Sequence, residues 1–247
     1  MRRANTHTCV FGLESCNTGH MSELDGLWLF GELAQADRAL VLRSTHRHRY
    51  PAGTYLYHAG ELGDSLHIVV KGRLAALAGT DLSEPMMLNL LGPGEVFGEL
   101  ALFNADHRRQ ASILAVETSE CLVLYRDAVQ QLRRRHPQVN DMLLSVLVHR
   151  VERLTVQVGE LFELDAPTRV YRQLVRLGET YEATERDGEI PLTQQQVASL
   201  AGVKLRVTNR VLNEARADGV LTTGKRRVIV HDWPTVRRRA GLRPTDT

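Results

Sequence analysis

The stretch Gly98-Glu99-Leu100-Ala101-Leu102-Phe103, followed shortly by Arg109-Gln110-Ala111, governs how the whole chain is read. Small residues at Gly98 and Ala101 leave room beside the backbone for the sugar of a ligand, and Glu99 can accept hydrogen bonds from its hydroxyls. Arg109 offers a guanidinium fork, whose donors match a phosphate in a fixed geometry. Taken alone, the segment also fits an ordinary strand–turn–helix with a surface arginine, so its surroundings decide.

Upstream and around it, residues 50–125 alternate short apolar runs with turn formers. The runs include Leu66-His67-Ile68-Val69-Val70, Met87-Leu88-Asn89-Leu90-Leu91 and Cys121-Leu122-Val123-Leu124. The punctuation is Pro51-Ala52-Gly53, Gly60, Gly63-Asp64, Lys71-Gly72, Gly79 and Gly92-Pro93-Gly94. Many short strands separated by glycine-rich turns predict an antiparallel sandwich or roll. Residues 23–44 carry Leu24, Leu27, Trp28, Leu33, Leu40 and Leu42 at helical spacing and predict one or two short helices. Residues 1–22 lack periodicity and read as a flexible arm.

Downstream, residues 127–163 read as one long helical element with Pro137 near its start. Leu144, Leu147, Val151, Leu154, Val158 and Leu161 recur at alternating spacings of three and four, the seam of two helices wound together. A homodimer through this helix is the expectation. Asp165-Ala166-Pro167 ends the element and reads as a hinge, because proline disfavours helix at the residue before it. Beyond it, Thr193 with Gln196 three residues later marks a capping box, and Leu200-Ala201-Gly202-Val203 a turn. A second helix over residues 204–217 buries Thr208, Val211, Leu212 and Ala215. Together these make a helix-turn-helix, whose second helix enters the DNA major groove.

On the opposite face of that second helix, Arg206, Asn209, Arg210 and Asn213 share one stripe. Like charges at i, i+4 are unfavourable in a free helix, but against DNA arginine is bidentate to guanine and asparagine to adenine. Lys204, and Lys225-Arg226-Arg227 in a β-hairpin wing, suit phosphates. From residue 165 onward the chain holds 15 Lys+Arg against 10 Asp+Glu, and residues 1–164 hold 16 against 19, so the C-terminal part is the basic one. Double-stranded DNA with a pseudo-palindromic operator is therefore the expected partner.

These segments together resemble the cyclic-AMP receptor/fumarate-nitrate regulator (CRP/FNR) family of bacterial transcription factors. The resemblance spans nearly all of residues 24–233. It implies an α+β chain divided into an arm (1–22), a jelly-roll-like cyclic-nucleotide-binding β-roll (23–126), a dimerisation helix (127–165) and a winged helix-turn-helix domain (166–247). By the same resemblance Gly98 and Glu99 face a ribose, Leu100 belongs to the cassette, and Arg109 meets a cyclic phosphate beside Gln110. Arg150 pairs with the cassette glutamate, and Thr155 reaches the ligand of the opposite subunit. Leu154 departs from the pattern: threonine there hydrogen-bonds the adenine amino group in the family's cyclic-AMP receptors, and leucine has no polar group. Leu205 and Arg206 also depart, standing where the familiar recognition helix has arginine and glutamate, which predicts a different operator.

Cyclic AMP is the effector implied, RNA polymerase a further partner, and no catalytic residues or metal are expected. Rival readings are a different nucleotide or no effector, and redox control through Cys9 and Cys16. Another is a cupin-type metal enzyme using His46 and His48 with His58 or His67. Three cysteines are too few for a disulfide scaffold, and no apolar run reaches a membrane span, so a cytoplasmic protein is expected.

Overall fold

The computed structural model describes residues 35–79, 86–184 and 187–242. The apolar runs become strands that close two four-stranded antiparallel sheets. Helix α1 (Gln35–Arg43) leads into β1 (His46–Tyr50), β2 (Tyr55–Tyr57), β3 (Ser65–Lys71), β4 (Leu74–Ala78), β5 (Met86–Leu91) and β6 (Val96–Phe97). A short turn of helix, α2 (Leu100–Phe103), precedes β7 (Ser112–Ala115) and β8 (Ser119–Tyr125). Strand order is β1-β8-β3-β6 in one sheet and β2-β7-β4-β5 in the other.

Strand β3 reads as a continuous apolar run because both its faces are covered. Leu66 and Ile68 join Leu122 and Leu124 of β8 against helices, while Val69 and Cys121 face the interior shared with the second sheet. This is the period-two alternation of a strand buried on two sides. The tight β3–β4 connection passes through Gly72 at φ +80°, where a Cβ would lie 2.6 Å from the Thr118 carbonyl oxygen. Only glycine fits there.

The long element expected over residues 127–163 is two helices, α3 (Arg126–Arg135) and α4 (Gln138–Glu163). His136, at φ −133° and ψ 90°, interrupts them because the following Pro137 disfavours helical backbone before it. The first half of α4 buries Val139, Met142, Leu143 and Val146 on the first sheet. Its second half exposes Val151, Leu154, Val158 and Leu161, each at least 50% accessible, with Leu144 on the same row. Among the described residues that stripe stays at least half exposed.

The long element ends at Glu163 as expected, but the break after it lies at Leu164-Asp165 and leaves out Ala166-Pro167 of the expected hinge. Leu164 and Asp165 are extended, and Ala166-Pro167 open α5 (Ala166–Thr180). Proline is tolerated in a first helical turn, where its missing N–H would be unpaired anyway. Asp165 caps the helix, accepting from the Thr168 N–H at 2.9 Å.

The C-terminal module continues with β9 (Gly188–Ile190), α6 (Gln194–Leu200), α7 (Leu205–Ala217), β10 (Leu221–Gly224), β11 (Arg227–Val230) and α8 (Trp233–Arg239). The Thr193/Gln196 capping box is formed in full, and Gly202 takes φ +61° between α6 and α7. Strand order β10-β11-β9 builds the wing. Leu174, Leu192, Val197, Leu212, Val228 and Val236 fill one core.

This module rests on the β-roll. Arg73 donates twice to the Thr180 carbonyl, at 3.0 and 2.6 Å, and once to Glu117 at 2.8 Å. Its guanidinium lies 4.2 Å over the Tyr181 ring. Leu200 of α6 packs against Ala75, Leu77 and Met87. From α4, Glu160 binds Arg172 at 2.9 Å and Arg176 at 2.5 Å. Against the cost of burial, those two hydrogen bonds hold the Glu160 carboxyl below its ordinary range. The basic run Arg237-Arg238-Arg239 is also used at home. Arg237 meets Glu179 at 3.6 Å, Arg238 donates to Thr235, and Arg239 binds Asp218 at 2.7 Å.

Candidate ligand cavity and nucleic-acid face

A cavity of about 220 Å³ opens between the second sheet, the cassette and α4. Its floor is built around Arg109, which is only 6% exposed. Arg109 Nη1 donates to the Ser65 carbonyl at 2.8 Å and the Gly98 carbonyl at 3.1 Å, and Nη2 to the Ser65 hydroxyl at 2.8 Å. The guanidinium sits 4.1 Å over the Tyr57 ring. Two glycines make the slot: a Cβ on Gly98 would lie 2.5 Å from Nη1, and one on Gly63 2.5 Å from Nε. Gly98 itself has φ +84°. Nε is left as a buried donor with no partner among the described residues.

Glu99 is the counterpart. Its Oε1 takes a short bond from Arg150 of α4, while Oε2 is a buried acceptor with no partner. Burial pushes the Glu99 carboxyl above the usual carboxylate range, and Arg150 counters that shift. One turn further along α4, Arg153 binds Glu95 at 2.5 Å, so two ion pairs join the long helix to the cassette side of the roll. Beneath Arg109, His67 stacks on Phe97 with ring centroids 4.8 Å apart. Burial, reinforced by Arg109, lowers the His67 pKa to about 3 and keeps the ring neutral.

Gly98, Glu99, Leu100, Arg109, Gln110, Arg150 and Leu154 all line this one cavity. Thr155 does not. Its hydroxyl donates to the Val151 carbonyl at 2.9 Å, on an exposed face of α4. Tyr57, Leu88, Asn89, Arg153 and Gln157 also line the cavity, and sequence reasoning passed over them. Gln157 was within reach, since it follows Leu154 by three residues and shares its helix face. Tyr57 was not, because it reaches the site only through the pairing of β2 with β7 opposite Ile113.

On α7, Thr208, Val211, Leu212 and Ala215 are buried, and Arg206, Arg210 and Asn213 are exposed on the other side. Arg206, Asn209, Arg210 and Asn213 border one shallow groove. Asn209 is half-buried, and its side-chain oxygen has no partner. Lys204, at the N-cap, and Lys225, Arg226 and Arg227, in the wing, are exposed.

The rival constellations fare differently. His46 and His48 lie on an exposed strand, His58 stacks on Tyr55 and His67 is buried. Among the described residues no three His, Cys, Asp or Glu side chains converge as metal ligands. Cys121 is buried, with its thiol pushed up to about 12, which makes it unreactive. Cys9 and Cys16 lie outside the described residues. No described helix is long and apolar enough to cross a membrane.

A cyclic nucleotide-binding domain model matches residues 47–136, and a Crp-like helix-turn-helix domain model matches residues 168–239. The chain is 32% identical over 212 residues to the cyclic AMP receptor protein of Thermus thermophilus, covering 85% of this chain and 94% of that one. To the cAMP-activated global transcriptional regulator CRP of Haemophilus influenzae it is 29% identical, covering 81% and 91%. Among solved structures, the c-di-GMP responsive global regulator CLP of Xanthomonas campestris superimposes with a TM-score of 0.68 at 26% identity, covering 80% of this chain and 99% of that one. With a cyclic nucleotide-binding roll and a Crp-like helix-turn-helix in one chain, this protein belongs to the CRP/FNR family of DNA-binding transcriptional regulators, which are not enzymes.

Proposed function

We propose that this protein is a homodimeric, sequence-specific DNA-binding regulator whose β-roll takes cyclic AMP as its allosteric effector. The observation that carries the effector reading is that two residues lining one cavity each keep a buried polar atom without a partner among the described residues, the Arg109 Nε donor and the Glu99 Oε2 acceptor. Buried polar groups are normally paired, so such a pair fits a ligand bearing an anion and hydroxyls. Arg109, with Gln110, would hold a cyclic phosphate; Glu99, beside Gly98, would accept from the ribose; Leu100 and Leu154 would flank the ligand. Thr155 would reach the ligand of the partner subunit across the α4 seam.

The exposed apolar stripe on α4 supports dimerisation, since a protomer alone leaves it in water. Arg150 and Arg153 tie that helix to the cassette, which gives the cavity a route to the seam. Effector binding would then favour one packing of the two helices and so one spacing of the two α7 helices. Arg206, Asn209, Arg210 and Asn213 would read bases, with Lys204, Lys225, Arg226 and Arg227 on phosphates. RNA polymerase is the further partner. A second reading, an effector other than cyclic AMP, is favoured by Leu154 and by the relative that responds to c-di-GMP. Calorimetric titration with cyclic AMP decides between them. The expected result is saturation near one ligand per subunit; no heat for cyclic AMP, with saturation by another nucleotide, selects the second reading.

A further inference from the structure

We infer that Asn89 and Gln157 read the base of the effector, replacing a hydrogen-bonding side chain at Leu154. The inference rests on the cyclic-nucleotide reading of the cavity. With the anion at Arg109 and the ribose at Glu99, the base would meet the rest of the lining, which includes Leu88, Leu91 and Leu154. Leucine there supplies contact area and no selectivity among bases. Two primary amides belong to that lining and also border the adjoining cleft: Asn89 on β5 and Gln157 on α4, three residues after Leu154. Both are half-buried, and neither side chain has a hydrogen-bond partner among the described residues.

The neighbouring polar groups are already committed. Arg153 is held by Glu95, Arg150 by Glu99, and the Thr155 hydroxyl by its own helix. Among the lining polar groups of α4 and β5, the amides are the ones left to meet a base. An amide carries a donor and an acceptor side by side, complementary to the N6 amino group and N7 of a 6-aminopurine. A guanine presents two acceptors on that edge, so one amide oxygen then faces another acceptor. A base without the amino group leaves an amide acceptor unpaired in a partly dry site, and such mismatches give larger discrimination than shape alone. The ligand class assigned is therefore a 6-aminopurine cyclic nucleotide, and Asn89 and Gln157 are its specificity-determining residues.

The test is calorimetry on the full chain with three probes: cyclic AMP, cyclic GMP, and the cyclic monophosphate of purine riboside, which lacks the amino group. Wild type is compared with Asn89→Leu and Gln157→Met, both close in shape to the residues they replace. In wild type, cyclic AMP should bind about three- to tenfold more tightly than the amino-less nucleotide. In either variant that ratio should fall toward one, with saturation by the amino-less nucleotide reporting that the cavity is still built. A wild-type preference that both variants retain overturns the inference and leaves the cyclic-nucleotide reading standing. No saturable binding of any probe by wild type overturns the cyclic-nucleotide reading, and the inference with it.

Discussion

The cavity and the exposed face of α7 both carry arginine, in opposite settings. Arg109 is buried, with two carbonyls, a hydroxyl and an aromatic face fixing its plane. Arg206 and Arg210 stand in water on α7, with no ion-pair or hydrogen-bond partner among the described residues. The first arrangement fixes the fork beforehand, so little ordering remains to be done when an anion arrives. The second leaves side chains free to fit whatever bases and phosphates the groove presents. A preorganised arginine is part of what holds the fold, whereas a solvated one carries little of it.

Replacing Arg109 is the strongest way to break that contrast. Arg109→Ala should lower cyclic-AMP affinity by about 100-fold or more, because charge-assisted bonds are worth roughly 1.5–3 kcal/mol each. It should also lower folding stability by about 1–3 kcal/mol, since Ser65 and Gly98 lose their donor. Denaturant titration and calorimetry on the same sample measure both. Arg210→Ala is the counterpart: about 1–3 kcal/mol of DNA affinity lost, with stability within about 0.5 kcal/mol of wild type. A stability loss equal to that of Arg109→Ala would erase the distinction.

His67 sharpens the comparison through pH. Its ring stays neutral in the fold down to about 3, while in the unfolded chain it takes a proton below its ordinary value of 6.5. The unfolded state then binds more protons, so stability is lost as pH falls from 6.5 toward 3, by at most about 1.4 kcal/mol per pH unit. Urea unfolding of wild type and His67→Phe across that window should show a difference that changes with pH. A constant difference would contradict a neutral buried ring. The smallest effect concerns the wing. Lys225→Ala should weaken all DNA sequences alike and reduce the salt dependence of binding by about one charge.

The local rules were legible in the sequence. The glycine-punctuated runs became strands, Thr193 and Gln196 formed their box, and Thr208, Val211, Leu212 and Ala215 turned inward on α7. One break was missed and another read as too long, because proline acts differently by position. Pro137 interrupts a helix through His136 before it, whereas Pro167 sits inside a first turn capped by Asp165. Of the cavity, the cassette residues Gly98, Glu99 and Arg109 were readable from their motif, while Arg150 and Leu154 came from the family resemblance and Thr155, from the same source, lies outside the lining. Tyr57 and Asn89 depend on which strands pair across long stretches of chain, and no local pattern carries that. Ser65, which fixes Arg109, also sits far from it in sequence, on β3.

The central claim is that the buried arginine governs what the solvated ones do. Its most direct test is the affinity of the full chain for DNA selected from a random pool, measured with and without saturating cyclic AMP, for wild type and Arg109→Ala. The account predicts that cyclic AMP tightens wild-type binding by roughly 5- to 150-fold, the range of about 1–3 kcal/mol of coupling, and leaves the variant unchanged. Wild-type binding indifferent to cyclic AMP, or a variant that responds equally, would contradict it.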